Sequence, residues 1–293
     1  MASLKDLKLR ITSVQSTKKI TSAMKMVAAS KLRRAQTSVE EARPYAERMS
    51  EILRKISLTV DPETSEIPML SGNGKNKIHL IVVMTANRGL CGGFNSNIIR
   101  KSRHLISDLL SNKKEIKIFT IGRKGRDALK QEYSSFFVGH FEDFGRKGSS
   151  FDEAETIASK IIDMFQNNEF DFCQLIYAKF ISAMTQEVTC QQTIPYSSED
   201  KDSLENTNSL SYEYEPSEQE ILDNLLPRNL AVQIFKALLE NGASEQGSRM
   251  TAMDNATRNA GDMIDKLSLK YNRTRQAQIT TELIEIISGA EAV

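Results

Sequence analysis

The stretch that decides the fold is residues 4–56, LKDLKLRITSVQSTKKITSAMKMVAASKLRRAQTSVEEARPYAERMSEILRKI. Its apolar residues recur in steps of three and four, the a and d spacing of a coiled-coil seam, over about eight heptads. The positions that carry this spacing are Leu4, Leu7, Ile11, Val14, Leu32, Ala35, Val39, Ala42, Ala46, Met49, Leu53 and Ile56. A continuous helix of this length would measure roughly 80 Å. It therefore needs a second long helix to cover its apolar stripe.

The middle of this helix departs from the pattern, because polar residues occupy its a and d positions: Lys18, Thr21 and Lys25. Four apolar residues lie close by in the sequence: Ile20, Ala23, Met24 and Val27. We therefore expect the apolar face to shift around the helix to these four residues, which would change the supercoil locally.

The C-terminal part of the chain offers the second helix. Residues 217–220 have the Ser-x-x-Glu form of a capping box, and Gly289 is a reasonable stop, so we expect a helix from Ser217 to about Ser288. Its apolar face is carried by Met250, Met253, Ala256, Ala260, Met263, Ile264, Leu267 and Tyr271. The two ends of the chain are thus predicted to pair as an antiparallel shaft.

Strands and helices alternate between the two ends. Residues 78–85, IHLIVVMT, form an unbroken apolar run of the kind found in buried parallel strands. Further strands are predicted at 116–121, 136–144, 172–180 and 186–195, and helices at 96–111, 125–133 and 152–166. This order is typical of a parallel sheet covered by helices. The predicted fold is α/β, a long antiparallel coiled coil with an inserted Rossmann-like domain.

The same patterns predict four segments of the chain. They are a coiled-coil helix over 1–58, an α/β domain over 75–195, an acidic linker over 196–216 and a second coiled-coil helix over 217–293.

The net charge of +1 conceals a strong asymmetry along the chain. Residues 1–60 hold thirteen Lys and Arg against five acids, whereas residues 196–223 hold nine acids against one Lys. A basic helix suits nucleic acid, an anionic membrane surface or an acidic protein, and it is also compatible with a merely solvated face. Three cysteines at unrelated spacings and no apolar run of membrane-spanning length predict a soluble protein in a reducing, cytosolic compartment.

The turn NRGLCGGF, residues 87–94, lies between a predicted strand and helix, where α/β folds often bind phosphates. It has neither the Gly-x-Gly-x-x-Gly spacing nor the Gly-Lys-Ser/Thr of a P-loop, so a tight structural turn is favoured. Cys91 at this turn has no matching histidine pattern for nucleophilic catalysis. Cys173 and Cys190 are expected to face each other across the hairpin as a reduced, packed pair.

Polar donors near the C-terminus have no evident partner in the sequence: Arg249, Arg273, Arg275 and Gln276. They are either solvated or reach another protein.

Three motifs together resemble one family. Residues 18–33, KKITSAMKMVAASKLR, look like the N-terminal helix of the gamma subunit of F-type ATP synthase. Residues 88–95, RGLCGGFN, are similar to that family's central turn, and residues 279–292, ITTELIEIISGAEA, resemble its C-terminal signature. The matches lie at the beginning, middle and end of the chain. One departure is Asn87, where the family commonly has Asp.

The resemblance implies a non-catalytic rotor shaft, without cofactor or metal, at the cytoplasmic face of the bacterial inner membrane. The implied partners are three alpha and three beta subunits, an epsilon subunit and a ring of c subunits. The shaft would couple proton flow through that ring to ATP synthesis or hydrolysis on the beta subunits. The family match gives six candidate rotor–stator contacts: Met24, Lys25, Arg249, Arg275, Gln276 and Thr280.

Two other classes of function fit the sequence less well. A nucleic-acid-binding coiled coil would explain the basic helix, but it predicts aromatic stacking or a basic surface elsewhere, and the sequence shows neither. A nucleotide-binding enzyme would explain the Gly-rich turn, but the phosphate-binding motifs are missing.

Overall fold

The computed structural model describes residues 3–59, 67–142, 150–196 and 218–291. The helices are α1 (Leu4–Thr59), α2 (Pro68–Ser71), α3 (Phe94–Ser111), α4 (Arg123–Tyr133), α5 (Phe151–Gln166) and α6 (Glu218–Glu291). The strands are β1 (Ile78–Met84), β2 (Glu115–Ile121), β3 (Phe137–Phe141), β4 (Phe172–Phe180) and β5 (Gln186–Ile194).

The predicted elements are confirmed with small shifts at their ends. The short helix α2 was not expected, and α6 continues past Gly289 to Glu291, so the predicted stop there is wrong. Both long helices continue through an internal proline, Pro44 in α1 and Pro227 in α6. Apart from Tyr196, the predicted acidic linker lies outside the described residues, as does the predicted cap Ser217.

The chain divides into two compact units. Unit 1 contains the residues up to Ala29 together with those from Arg249 onward, and unit 2 contains Ser30–Ser248. Both α1 and α6 contribute residues to each unit.

Unit 2 is built on a sheet with the strand order β3-β2-β1-β4-β5. Adjacent strands are parallel except β5, which is antiparallel to β4, as expected for a hairpin at the edge of a parallel sheet. One face packs on α5 and on Leu230–Leu238 of α6, and the other packs on α3 and α4. The unbroken apolar sequence of β1 is explained because both faces are covered.

The parts of the long helices that belong to unit 2 pack on each other at one end of the unit. Met49 and Leu53 of α1 share an apolar cluster with Leu222 and Leu226 of α6. Leu32, Val39 and Ala46 are also buried, so the predicted a and d seam of this half of α1 is confirmed.

Candidate functional site

Unit 1 is an antiparallel pair of helical segments, and all six candidate contact residues lie in it. The hydroxyl of Thr257 donates to Oγ1 of Thr21 at 2.8 Å, and Nζ of Lys25 lies 2.5 Å from Oδ1 of Asp254. Residue numbers thus rise along α1 as those of their contact partners fall along α6, so the two segments are antiparallel. The pairing of the chain ends is therefore confirmed. Leu7, Ala28, Met253 and Ala260 are buried along the seam.

The expected shift of the apolar face in the middle of α1 is wrong. Thr21 is buried at 8% exposure, whereas Ile20 and Val27 are 60% and 56% exposed and Ala23 is also exposed. The heptad pattern therefore continues without a shift, and the polar residues Thr21 and Lys25 stay at the seam. The physical reason is that Thr21 and Lys25 each find a polar partner on α6, whereas Lys18 is exposed to solvent. On α6 the expectation also fails for Met263, which is 52% exposed.

Lys25, Asp254 and Arg258 form a charged cluster at this seam. Asp254 accepts from Lys25 and also lies 3.1 Å from the guanidinium of Arg258. The hydrogen bond from Lys25, aided by the charges of Lys25 and Arg258, lowers the pKa of Asp254 against the opposing effect of partial burial. The ion pair leaves 44% of the Lys25 side chain exposed.

The other candidate residues differ in their exposure. Met24 and Arg249 are half-buried, and Arg249 interacts within the chain, so the expectation that it lacks a partner is wrong. Arg275, Gln276 and Thr280 are exposed on α6, and the Thr280 hydroxyl donates to the carbonyl of Gln276 at 2.9 Å. That bond is internal to the helix and leaves the outer surface of these residues uncovered.

The C-terminal end of α6 carries a long exposed apolar surface. Residues 275–288 are all exposed. Within this stretch five large apolar side chains are 48–68% exposed: Ile279, Leu283, Ile284, Ile286 and Ile287. Leu4 opens α1, and by the register of the seam it pairs near residue 275. Beyond that point no described helical segment of unit 1 covers α6, and contiguous exposed apolar surface of this kind is typical of a protein interface.

The Gly-rich turn has the geometry of a tight connection. Leu90 and Gly92 have positive φ angles of 62° and 57°, and the side chain of Asn95 accepts from the N–H of Ala86 at 2.9 Å. A cavity of about 190 Å³ lies beside the start of α3. Its lining residues are Gly93, Phe94, Asn97, Ala178, Gln186, Val188 and Ser248, none of them Lys or Arg. A phosphate site would need such a charge or a built cradle.

Asn87 connects this turn to two other segments. Its Oδ1 accepts from the N–H of Arg123 at the start of α4, at 3.1 Å, and its Nδ2 donates to the carbonyl of Glu142 at 2.8 Å. An Asp at this position would keep the first bond and lose the second. The departure from the family pattern is thus matched by a contact that only the amide makes.

None of the three cysteines forms a disulfide. Cys173 pairs with Ile194 and Cys190 with Ile176, so the expectation that the two cysteines face each other is wrong. Burial raises the pKa of Cys173 to about 12, and Cys91 is buried at 2% exposure. Neither has the exposed, electropositive setting of a reactive thiol.

Within the described ranges, no helix is both apolar and long enough to cross a bilayer. The same ranges contain no group of three or more His, Cys, Asp or Glu placed to bind a metal ion.

Comparison with known proteins decides the family. The model of the ATP synthase family matches residues 3–293. The ATP synthase gamma chain of Paramagnetospirillum magneticum is 58% identical over 294 residues, and that of Rhodospirillum rubrum is 56% identical over 299 residues, each covering 100% of both chains. This chain belongs to the ATP synthase gamma-chain family. Its relatives over the full length are thus gamma chains of ATP synthase.

Solved structures agree with this assignment. The central stalk and c-ring structure of Tetrahymena thermophila mitochondrial ATP synthase contains a chain that matches with a TM-score of 0.60 at 25% identity, over 81% of this chain and 99% of that one. A chain of the Euglena gracilis mitochondrial enzyme, in rotational state 3, matches with a TM-score of 0.69 at 18% identity, over 99% of this chain and 94% of that one. At that identity the second likeness shows the fold alone.

Proposed function

We propose that this gamma-family chain is the rotating shaft that couples proton flow through a c-subunit ring to ATP synthesis or hydrolysis on beta subunits. The observation that carries the proposal is the exposed apolar end of α6, residues 275–288. A helix that exposes large apolar side chains over four turns is not expected to remain in water without a partner. A ring of three alpha and three beta subunits around it would supply that partner.

The polar seam of unit 1 supports the mechanical part of the proposal. Apolar a and d contacts hold two helices together, while a polar pair at one position fixes their register at some cost in stability. Thr21 with Thr257 and Lys25 with Asp254 are such pairs. A shaft that keeps its register under torque presents a defined and asymmetric surface to each beta subunit. Differential contact of that surface with the three catalytic sites is what would bias their conformations.

We retain Met24, Lys25, Arg249, Arg275, Gln276 and Thr280 as proposed rotor–stator contacts. The exposure of Arg275, Gln276 and Thr280 supports contact with a beta subunit. For Lys25 the ion pair to Asp254 adds a second proposed role, which is to hold the two helices in register. Ile20 and Val27 extend the exposed surface of α1 next to Met24.

We further propose the division of labour that the sequence indicates. Residues 1–58 and 217–293 would form the shaft, 75–195 an α/β domain that meets the epsilon subunit and the c ring, and 196–216 a linker. The chain itself would be non-catalytic, without cofactor or nucleic-acid partner, and held at the cytoplasmic face of a bacterial inner membrane through the complex.

Reconstitution tests the proposal directly. The chain is mixed with alpha and beta subunits, and we expect one copy to assemble with three of each and to support ATP hydrolysis. Calorimetry of the chain alone with ATP and ADP serves as the control for catalysis, and no saturable heat is expected. A chain that binds nucleotide at micromolar concentration but fails to enter the alpha–beta complex would contradict the proposal.

A further inference from the structure

The last part of β4 is held by side chains of α6 instead of by a neighbouring strand. β1 pairs with β4 only as far as the match of Val83 with Ile176, while β4 continues to Phe180. Beyond Ile176 the edge of β4 that faced β1 therefore has no strand beside it. Ala178 lies on this edge and is 1% exposed, so its backbone groups cannot turn to water.

Two residues of α6 hydrogen-bond this edge in place of β1, and a third lies beside it. The N–H of Ala178 donates to Oδ1 of Asn241 at 3.2 Å, and the hydroxyl of Ser244 donates to the carbonyl of Ala178 at 2.9 Å. The N–H of Phe180, two residues further on and so on the same edge, faces the carboxylate of Glu240 and partly counters the rise that burial causes in the pKa of that carboxyl. Glu240, Asn241 and Ser244 are each at most 2% exposed, which places the whole set in the interior of unit 2.

The contact continues for one more turn of the helix. The hydroxyl of Ser248 donates to the carbonyl of Cys91 at 2.7 Å, in the turn that follows β1. Gly247 lies so close to the β4–β5 connection that an added Cβ would stand 3.2 Å from the carbonyl oxygen of Ala183. Residues 240–248 of α6 are thus fitted to the ends of two adjacent strands.

These hydrogen bonds restrict the position of α6 on the sheet in a way that its apolar packing does not. Leu230, Ile234 and Leu238 join α6 to the apolar core of the sheet, but the hydrophobic effect itself is non-directional. Hydrogen bonds weaken steeply when distance and angle change. The two bonds to Ala178 therefore fix both the axial position and the rotation of α6 on the sheet.

We propose that Asn241 and Ser244, with Glu240 beside them, form a register clamp that transmits torque between α6 and the α/β sheet of unit 2. The proposal rests on the rotor function proposed above and adds the point at which the load passes from helix to sheet. Under load, α6 would slip on the sheet if only apolar contacts held it. The three residues are positioning residues, since they act on the coupling through the backbone of β4.

The test uses the complete complex in lipid vesicles, with Asn241→Ala and Ser244→Ala combined in this chain. The matched control is Ser102→Ala, because Ser102 is equally buried but its hydroxyl bonds the Ile98 carbonyl within its own helix. ATP hydrolysis is measured with an uncoupler present, and ATP-driven proton pumping without it. We expect wild-type hydrolysis in both variants and a lower number of protons pumped per ATP in the clamp variant alone.

Amide hydrogen exchange gives an independent readout of the clamp. Exchange at Ala178 is expected to rise by about tenfold or more in the double variant, because two buried hydrogen bonds are lost. If the double variant fails to assemble, the single variant Ser244→Ala replaces it. The single variant should show a smaller drop in protons pumped per ATP and a smaller rise in exchange at Ala178.

Three results would overturn the clamp. They are pumping per ATP equal to that of the Ser102→Ala control, exchange at Ala178 that does not change, or hydrolysis and pumping that fall together as for a folding defect. A wild-type chain that assembles and hydrolyses ATP without any pumping would instead overturn the proposed rotor function itself.

Discussion

Two glycines of α6, five residues apart, allow a matched test of how closely this helix is fitted to the sheet. An added Cβ at Gly242 meets no described atom within 4 Å, whereas at Gly247 it would lie 3.2 Å from the carbonyl oxygen and 3.3 Å from the Cα of Ala183. Both of these atoms belong to backbone, so they cannot swing away as a flexible side chain would. Replacing glycine by alanine inside a helix stabilises it by about 0.5–1 kcal/mol.

We expect the two substitutions to change the free energy of unfolding in opposite directions. Gly242→Ala should gain the full propensity term. Gly247→Ala gains the same term but adds an overpacking cost of about 1–3 kcal/mol, which leaves it roughly 0–2.5 kcal/mol less stable than the wild type. The difference between the variants is therefore about 1–3 kcal/mol, or several degrees in melting temperature.

Urea unfolding of the purified chain, followed by circular dichroism, measures this difference. Equal m values for the variants would show that the surface exposed on unfolding is unchanged, so that midpoints can be compared directly. If Gly247→Ala proved as stable as Gly242→Ala, the close approach of α6 to the β4–β5 connection would be refuted.

Three further predictions concern unit 1. Cysteines at Thr21 and Thr257 should form a disulfide under mild oxidation, because the two hydroxyls are 2.8 Å apart, and failure to crosslink would contradict the antiparallel seam. Met24→Lys adds a cation to a basic helix, so we expect ATP hydrolysis to continue while proton pumping falls; equal loss of both in an assembled complex would speak against it. Removing Arg275 and Gln276 together, by alanine substitution, should slow ATP turnover by about tenfold through loss of a charged hydrogen bond; melting of the free chain should be nearly unchanged, and a large drop would give these residues a structural role.

The order of helices and strands could be predicted from the sequence because each element carries a local signal. The run IHLIVVMT is apolar on both faces, and β4 and β5 are each nine-residue runs rich in β-branched and aromatic residues or their alternation with polar ones, joined by a short connection. The register of that hairpin carries no such signal. A shift of one residue changes every cross-strand pair, and this is why Cys173 and Cys190 were wrongly expected to face each other.

The polar middle of the α1 seam could not be predicted, for a different reason. Periodicity weighs only how apolar each residue is, so it favoured Ile20 and Val27 over Thr21 and Lys25. The outcome depends on Thr257 and Asp254, which lie more than 220 residues away in the sequence and approach only in the folded chain. Such pairing offsets the cost of placing polar groups on a seam. Ile20 and Val27 stay exposed as a result.

The clamp on β4 was missed by sequence reasoning as well. Asn241 and Ser244 lie four and seven residues after Ala237, on the face of α6 that is otherwise apolar. Sequence alone would assign polar residues at these positions to solvent. The usable signal is the difference in strand length together with the polar residues of α6. Because β4 extends beyond β1 at its carboxyl end, the N–H and C=O groups there must be hydrogen-bonded by some other part of the chain.

The most direct measurement of the proposed function is rotation of this chain in the assembled complex. A bead is attached through Lys101→Cys on the exposed surface of α3, with the half-buried Cys190 replaced by Ser, and the alpha and beta subunits are fixed to a surface. On addition of ATP we expect the bead to turn in one direction, with one dwell position for each beta subunit. A bead that stays still, or only fluctuates, while the same complexes hydrolyse ATP would contradict the rotor function.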